Sequence, residues 1–210
     1  MRIRAIQVFA IVLAMAIALS VSIAAQQAPV GGGPGRGGGP GGGGAQRGGG
    51  GPGLTLTSTS WQDGGEIPVK YAGAGQSISP ALSWTNMPMG TVEFVLIMND
   101  PEPVNPRGSG SATGDITHWI VVKIPATTTS LPEGAGGAQP QLPAGAKQTV
   151  AYRGPGAPAA GPPHHYTLTL YALNAPITVA DNADRAAVTA AMDGKVLAKG
   201  IFNGRYKAPQ

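Results

Sequence analysis

The sequence has no cysteine, no acidic residue before Asp63 and no apolar run of the ~20 residues that a membrane-spanning helix needs. Without cysteine the chain can form neither a disulfide framework nor a lipid-modified cysteine, and it has no thiol nucleophile. It also contains no G-x-S-x-G segment and no Walker segment. These absences favour a binding protein over an enzyme.

The missing acidic residues leave the charge unevenly distributed. Arg2, Arg4, Arg36 and Arg47 precede Leu54, whereas all ten acidic residues and the other ten basic residues follow it. The formal net charge of +4 therefore belongs to the first 53 residues, and the remainder is neutral. A neutral domain offers no basic groove, so we expect no binding to nucleic acid.

The first 25 residues have the layout of a secretory signal peptide. Arg2 and Arg4 precede an apolar run over residues 5–19, and the segment SIA at positions 22–24 suits signal peptidase. An uncleaved membrane anchor is the alternative, which the short apolar run disfavours. We expect cleavage near residue 25 and export, either to the periplasm or out of the cell.

Residues 26–53 are predicted to form a flexible linker. Between Gly31 and Gly53, 16 of 23 residues are glycine, and glycine has no side chain to bury and loses the most backbone entropy on ordering. Glycine motifs inside this stretch carry no information about nucleotide binding. Residues 54–207 remain as one domain, long enough to bury a hydrophobic core.

The folded domain is predicted to be mainly β. Runs rich in β-branched and aromatic residues alternate with turn-rich stretches such as NPRGSGSATG, a spacing typical of an antiparallel β-sandwich. The candidate strands cover residues 54–59, 66–72, 81–84, 92–99, 118–125, 164–173 and 201–206.

One or two peripheral helices are expected near the C-terminus. In the segment DRAAVTAAMDGKVLAK, Val188, Met192 and Val196 fall on one helical face, and Asp181 or Asn182 can cap the N-terminus. A glycine at position 194 is expected to break this run into two pieces.

The three histidines stand at the beginning of candidate strands, and an aspartate stands at the end of another. Asp100 follows the run VEFVLIMN and precedes a proline, which cannot continue a hydrogen-bonded ladder. Alternation places His118 on the face of Ile120 and Val122, and His164 on the face of Tyr166. His165 then points to the opposite face. The strand ends can therefore build one site if they meet.

Five segments in order carry a family resemblance, namely DGGEIPVKYAGAGQSISPALSW, NDPEP, THWIVV, GPGAPAAGPPHHYTLTLYAL and DGKVLAKGIFNGRY. Together they resemble the phosphatidylethanolamine-binding protein family, in its bacterial Raf-kinase-inhibitor-like branch, over nearly all of residues 54–206. The resemblance implies an antiparallel β-sandwich with peripheral helices, in agreement with the strand pattern.

The resemblance also implies a small anion pocket at one end of the sandwich. Imidazole N–H groups, a tyrosine hydroxyl and turn amides can donate to phosphate or carboxylate oxygens. A carboxylate there would orient an imidazole or accept from an ammonium group. Carried over residue by residue, the ligand-binding positions are Asp100, Pro103, His118, Gly154, Pro155, His164 and Tyr166.

Three departures from the family pattern concern this pocket. Glu102 stands where the family usually has aspartate, and His165 stands where it usually has arginine. Because His165 points away from His164, the pocket can survive this change. Ile116 and Thr117 stand where some relatives carry tryptophan and histidine, which bears on an aromatic wall of the pocket.

Two function classes remain open from the sequence. One is a binding protein for a small anion or a phospholipid head-group, with peripheral membrane contact. The other is an inhibitor or interaction protein that acts on a protease, since both roles occur in the family. A metal site formed by Asp100, His118 and His164 is disfavoured because the sequence has no H-x-H or H-x-x-x-H ligand pair. We expect neither a metal nor a cofactor.

Overall fold

The computed structural model describes residues 53–102 and 115–210. The predicted signal peptide, nearly all of the predicted linker, and Pro103 lie outside this part of the chain. The described residues form nine β-strands, one α-helix and a 3₁₀ helix at Val69–Tyr71. They are β1 (Thr55–Thr57), β2 (Gly65–Glu66), β3 (Leu82–Thr85), β4 (Glu93–Asp100), β5 (Ile116–Pro125), β6 (Ser130–Leu131), β7 (Lys147–Val150), β8 (His164–Leu173), α1 (Arg185–Met192) and β9 (Val196–Tyr206).

The strands form two sheets. Three strands make a small sheet in the order β1-β3-β6, and six make a larger sheet in the order β2-β9-β8-β4-β5-β7. Neighbouring strands run antiparallel, except that β2 pairs in parallel with β9. The arrangement confirms the predicted β-sandwich with a peripheral helix.

The main hydrophobic core lies between the two sheets. It joins Leu56 and Leu82 of the small sheet to Phe94 and Leu168 of the large sheet. This core also contains all three tryptophans of the chain, Trp61, Trp84 and Trp119.

A second hydrophobic cluster lies on the outer face of the large sheet. Val188 and Met192 of α1 pack there against β4 residues such as Val95 and Ile97. Fully burying a side chain of this size contributes about 1.5–3 kcal/mol. The helix is therefore attached mainly by its apolar face.

The central strand β4 carries the first site residue. Its side chains alternate between the two clusters, with Phe94, Leu96 and Met98 facing the core between the sheets. β4 pairs with β8 without a register shift, so the same alternation turns Asp100 toward the space between the sheets. This explains why Asp100, a charged residue, is only 2% exposed.

Several strands differ in extent from the prediction. Segment 66–72, predicted as one strand, contains only the last residue of β2 and the 3₁₀ helix, because Pro68 between them cannot continue the ladder. β9 begins at Val196 rather than at residue 201. The short strands β6 and β7 were not predicted.

The helix prediction is confirmed in type and place, although its ends differ. Asp184, rather than Asp181 or Asn182, caps α1, because its side chain accepts a hydrogen bond of 2.8 Å from a backbone N–H in the first turn. Gly194 adopts a φ of 70° just after the helix. The chain then enters β9, so Val196 lies on a strand and not on the helical face. No helix in the described ranges is long and apolar enough to cross a bilayer.

Candidate functional site

Three neighbouring strands bring the candidate residues to one end of the large sheet. β4 lies between β5 and β8, and it runs antiparallel to both. Its C-terminal residue Asp100 therefore meets the beginning of β8, which starts at His164, and the beginning of β5, which contains His118. We call Asp100, His118, His164 and Tyr166 the strand-end cluster.

A β-bulge in β5 sets the direction of His118. Met98 pairs with Trp119 and Asn99 pairs with Thr117, so His118 is the extra residue. Such a bulge interrupts alternation and re-aims a side chain. The ring of His118 packs edge-on against the ring of Tyr166, with 5.1 Å between the centroids.

The predicted face of His118 is therefore wrong. Ile120 and Val122 belong to the outer cluster, whereas Tyr166, which His118 contacts, belongs to the core between the sheets. β5 also begins at Ile116, so His118 lies inside the strand and does not open it. The bulge brings His118 into the cluster, where simple alternation would have turned it away.

Asp100 is the buried charge at the centre of the cluster. Its Oδ2 lies 2.9 Å from Nδ1 of His164, and its Oδ1 accepts a hydrogen bond of 3.1 Å from the backbone N–H of Glu102. Burying an unpaired carboxylate would cost several kcal/mol. These partners compensate the carboxylate and fix its orientation.

Tyr166 lies near the same carboxylate. The backbone N–H of Gly156 donates to the hydroxyl oxygen at 3.3 Å. Burial, followed by the negative charge of Asp100 and a hydrogen bond to its carboxylate, raises the pKa of Tyr166 well above its usual value. The phenol therefore stays protonated beside the Asp100 carboxylate.

His118 is held by the loop that precedes β8. Its Nδ1 lies 2.7 Å from the carbonyl oxygen of Arg153, and the backbone N–H of Arg153 donates to the carbonyl of His118 at 2.9 Å. A carbonyl only accepts, so Nδ1 carries the proton and Nε2 of the neutral ring carries a lone pair. Burial is the main cause that lowers the pKa of His118 below its usual value.

Gly154 and Pro155 hold this loop against the 3₁₀ helix region. The N–H of Gly154 donates to Oγ of Ser77 at 2.8 Å, and the carbonyl of Pro155 accepts from the N–H of Gly73 at 2.8 Å. A Cβ atom at Gly154 would lie 2.5 Å from the carbonyl oxygen of Tyr71. The Gly154 amide is therefore engaged within the protein.

The two adjacent histidines separate as alternation predicts. The side chain of His164 is 19% exposed and points to Asp100, whereas that of His165 is 58% exposed. His165 contacts Glu102 through both its backbone N–H and its Nδ1. Burial alone would raise the pKa of Glu102, but these contacts with His165 outweigh it and lower that pKa.

The structure brings together a different set of possible metal ligands from the one considered in the sequence. Asp100, Glu102 and His164 can each bring one ligand atom within 4.8 Å of the others. This group contains Glu102 in place of His118, so it differs from the set weighed from the sequence. Glu102 already binds His165 through both carboxylate oxygens, and His164 Nδ1 faces Asp100. The arrangement is that of an internal hydrogen-bond network.

The atoms left for a ligand are the outer nitrogens of the two imidazoles. Two donors expected to serve a ligand, namely the Gly154 amide and Nδ1 of His118, are satisfied inside the protein, and the Tyr166 phenol lies near Asp100. Nε2 of His164 and Nε2 of His118 are the ring nitrogens opposite these contacts. A protonated imidazole donates from Nε2 and carries a charge.

Sequence reasoning missed the supporting residues. Arg153 acts through its carbonyl and Ser77 through its hydroxyl, and each is far along the chain from its partner. Nothing in a local pattern marks such residues, because the contact depends on how two loops meet. Ser77 adopts a φ of 53°, which a sequence pattern does not reveal either.

The fold and the cluster define a β-sandwich protein with a buried polar network at one end of its large sheet. Residues 57–207 match the family model described as phosphatidylethanolamine-binding protein. The chain belongs to this family.

Individual relatives agree with this assignment. A UPF0098 protein of Aquifex aeolicus is 35% identical over 163 residues, which is 73% of this chain and 88% of the relative. LppC of Mycobacterium tuberculosis, named as a candidate lipoprotein, is 31% identical over 161 residues, or 72% of this chain and 73% of LppC. The crystal structure of Escherichia coli YbcL, a member of the mammalian PEBP family, has a TM-score of 0.66 and 29% identity. It covers 74% of this chain and 99% of YbcL.

Proposed function

We propose that this protein is an exported binding protein that takes a small phosphorylated head-group at the strand-end cluster. The observation that carries the proposal is the pairing of His164 with Asp100. The carboxylate is 2% exposed and holds Nδ1 of His164 at 2.9 Å, which leaves the opposite nitrogen of a partly exposed ring for a ligand.

The buried carboxylate suits an anion site because its charge is internally compensated. Asp100 accepts a hydrogen bond from the Glu102 amide and faces His164, and the Tyr166 phenol lies near it. A protonated His164 would then offer an N–H and a positive charge to a phosphate oxygen. A ligand that also carries an ammonium group, as a phosphoethanolamine head-group does, gains attraction to the carboxylate.

Binding should be modest and should strengthen at lower pH. The expected dissociation constant lies between about millimolar and about micromolar, which corresponds to ~4–8 kcal/mol. Because protonated imidazole donates from both nitrogens, affinity should rise as the pH falls through the range in which histidines gain protons. Titration calorimetry with inorganic phosphate and with phosphoethanolamine measures both quantities.

Two adjacent histidines provide the test and its matched control. His164→Ala should weaken binding by ~1–3 kcal/mol, the cost of losing a hydrogen bond to a charged group. His165→Ala should change it little, because His165 lies on the opposite face and contacts Glu102. Equal losses in the two variants would contradict this geometry. A parent protein with no phosphate signal would instead favour the alternative role, a protein inhibitor or interaction partner acting on a protease.

Export is the second part of the proposal. The layout of residues 1–25 supports it, and so does the similarity to LppC, which is named as a candidate lipoprotein. This chain itself has no cysteine to carry a lipid. Mass analysis of the exported protein should give an N-terminus near Ala25 or Gln26, and an intact Met1 would contradict cleavage.

A further inference from the structure

We propose that the end of the sandwich opposite the strand-end cluster docks on an anionic bilayer surface. This end is formed by Met87, Met89, Val92 and Val196, and we call it the methionine end. β4 begins there with Glu93 and reaches the cluster at Asp100. An eight-residue strand is roughly 25 Å long, so a docked methionine end would leave the cluster facing the solution.

The methionine end exposes apolar side chains on a projecting turn. Met89 is 97% exposed, and Met87 and Val92 are 41% and 47% exposed. Val92 donates its backbone N–H to Leu173 at 2.7 Å, and Leu173 pairs with Val196, which is 45% exposed. The turn between β3 and β4 and the first residue of β9 therefore lie at the same end of the sandwich, and both expose apolar side chains.

The N-terminal part of the chain joins the domain at the same end. Thr55 pairs with Thr85, the last residue of β3, and the Asn86 side chain donates to Oγ1 of Thr55 at 3.3 Å. Residues 1–52 are thus attached beside Met87. That stretch contains the apolar run over residues 5–19, four arginines and no acidic residue.

The charge of the N-terminal residues favours an anionic bilayer as the partner of the methionine end. The formal charge of the chain from Leu54 onward is zero, so the excess of +4 belongs to the residues that precede the domain, and the chain enters the domain at the methionine end. After cleavage near residue 25, the mature chain would still contain Arg36 and Arg47. Basic residues near an anionic membrane surface and apolar side chains that enter its interface are two signals that reinforce each other.

Two lysines of the domain add positive charge near Val196. Lys195 and Lys199 flank Val196 on the chain, and Asp193 is the acidic residue of the same turn and strand. Lys195 donates to the carbonyl of Ala191 at 2.8 Å, while Lys199 is exposed. A bilayer rich in phosphatidylglycerol matches an apolar surface with this flanking charge.

The absence of cysteine allows a direct test on the full chain. Met89→Cys and, as a matched control, Val69→Cys each introduce a single thiol for an environment-sensitive fluorophore. Val69 is 44% exposed and lies in the 3₁₀ helix beside the C-terminal end of β9, where Tyr206 pairs with His164. It therefore reports the cluster end of the sandwich.

Vesicles of phosphatidylglycerol and phosphatidylcholine, with a quencher on the acyl chains, serve as the probe. We expect the label at residue 89 to shift to the blue and to be quenched several-fold more than the label at residue 69. Vesicles of phosphatidylcholine alone, added salt, and the pair Arg36→Gln and Arg47→Gln should each weaken the response, because each reduces the electrostatic attraction.

Two results would overturn the proposal. An unchanged label at residue 89, even when the full chain floats with the vesicles through its N-terminal segment, would show that the methionine end stays in water. A response at residue 69 equal to or larger than that at residue 89 would mean that the protein meets the bilayer by the cluster end. A label at Met87→Cys gives a second reading of the same surface if the first variant fails to fold.

Discussion

Gly154 and Gly156 lie in the same loop, but only Gly154 has no room for a methyl group. A Cβ at Gly154 would lie within 2.6 Å of the backbone of residues 71–73, whereas at Gly156 nothing lies within 4 Å. We expect Gly154→Ala to lower the free energy of unfolding by ~1–3 kcal/mol, because the clash is with backbone. Urea denaturation of the two alanine variants checks this.

Gly156→Ala is the control for that measurement. It should leave the free energy of unfolding nearly unchanged, and it should keep phosphate binding. If the free energy of unfolding fell equally in both variants, the close approach of the Gly154 loop to residues 71–73 would not explain the loss. The resemblance marked Gly154 as a ligand position, and its contacts suggest that it acts by placing the loop.

His118 should make the protein less stable in acid. Burial lowers its pKa in the folded state, while the unfolded imidazole titrates near its ordinary value of about 6.5. Below that pH the unfolded state binds more protons than the folded state, so the free energy of unfolding falls as pH falls. The contribution is complete above the unfolded pKa and is lost as pH drops toward the folded one.

His118→Asn tests this dependence. The asparagine amide can still donate to the Arg153 carbonyl but does not titrate. The free energy of unfolding of the variant should therefore fall less than that of the parent protein between about pH 8 and about pH 5. Unfolding curves at several pH values measure the difference. Identical pH dependence in parent and variant would mean that other groups govern the loss of stability in acid.

At the level of single residues, alternation predicted the site only where the ladder is regular. It separated His164 from His165 correctly, because β8 pairs with β4 without a shift. It failed at His118, because a bulge adds one residue to β5. Nothing in the local pattern of apolar and polar residues distinguishes a bulged residue from a regular one.

Among the elements, α1 offers the clearest prediction. Asp184 caps its first turn through a hydrogen bond to the N–H of Ala187, so Asp184→Ala should lower the free energy of unfolding by ~1 kcal/mol. Asp193→Ala, at the other end of the helix, is the control. A negative charge opposes the helix dipole there, so its removal should be neutral or slightly stabilising in thermal unfolding. A larger loss at Asp193 than at Asp184 would contradict the capping assignment.

The elements that sequence reasoning missed owe their structure to pairing over long distances. β2 contains only two residues and exists because it pairs with the end of β9, at Gly204 and Arg205. A run of such length carries no periodic signal. β8, by contrast, was predicted with its observed bounds, since it is ten residues long and alternates clearly from Tyr166 to Leu170.

At the scale of the whole molecule, the domain should fold without the N-terminal residues. The core between the sheets is formed by residues from Leu54 onward, and the predicted linker is mostly glycine. A chain that begins at Leu54 should therefore melt at the same temperature as the chain from Gln26. A large loss in the thermal scan would mean that residues 26–53 pack against the domain, and the linker prediction would be wrong.

The overall architecture could be predicted because strand number, spacing and five ordered segments point to one fold. The order of strands in the large sheet could not be read from local patterns, since β9 at the C-terminus lies between β2 and β8. Placement of the cluster depended on that order. The resemblance predicted a site at one end of the sandwich without giving the strand order, while the spacing of the candidate strands predicted the antiparallel β-sandwich.

Because of where the tryptophans lie, intrinsic fluorescence reports on only one of the two hydrophobic clusters. Trp61, Trp84 and Trp119 all lie in the core between the sheets, and the cluster beneath α1 contains no tryptophan, since these three are the chain's full complement. Intrinsic fluorescence would therefore remain native if the helix detached by itself, whereas far-ultraviolet circular dichroism would change. A gap between the two unfolding curves would measure how independently the helix leaves the sheet.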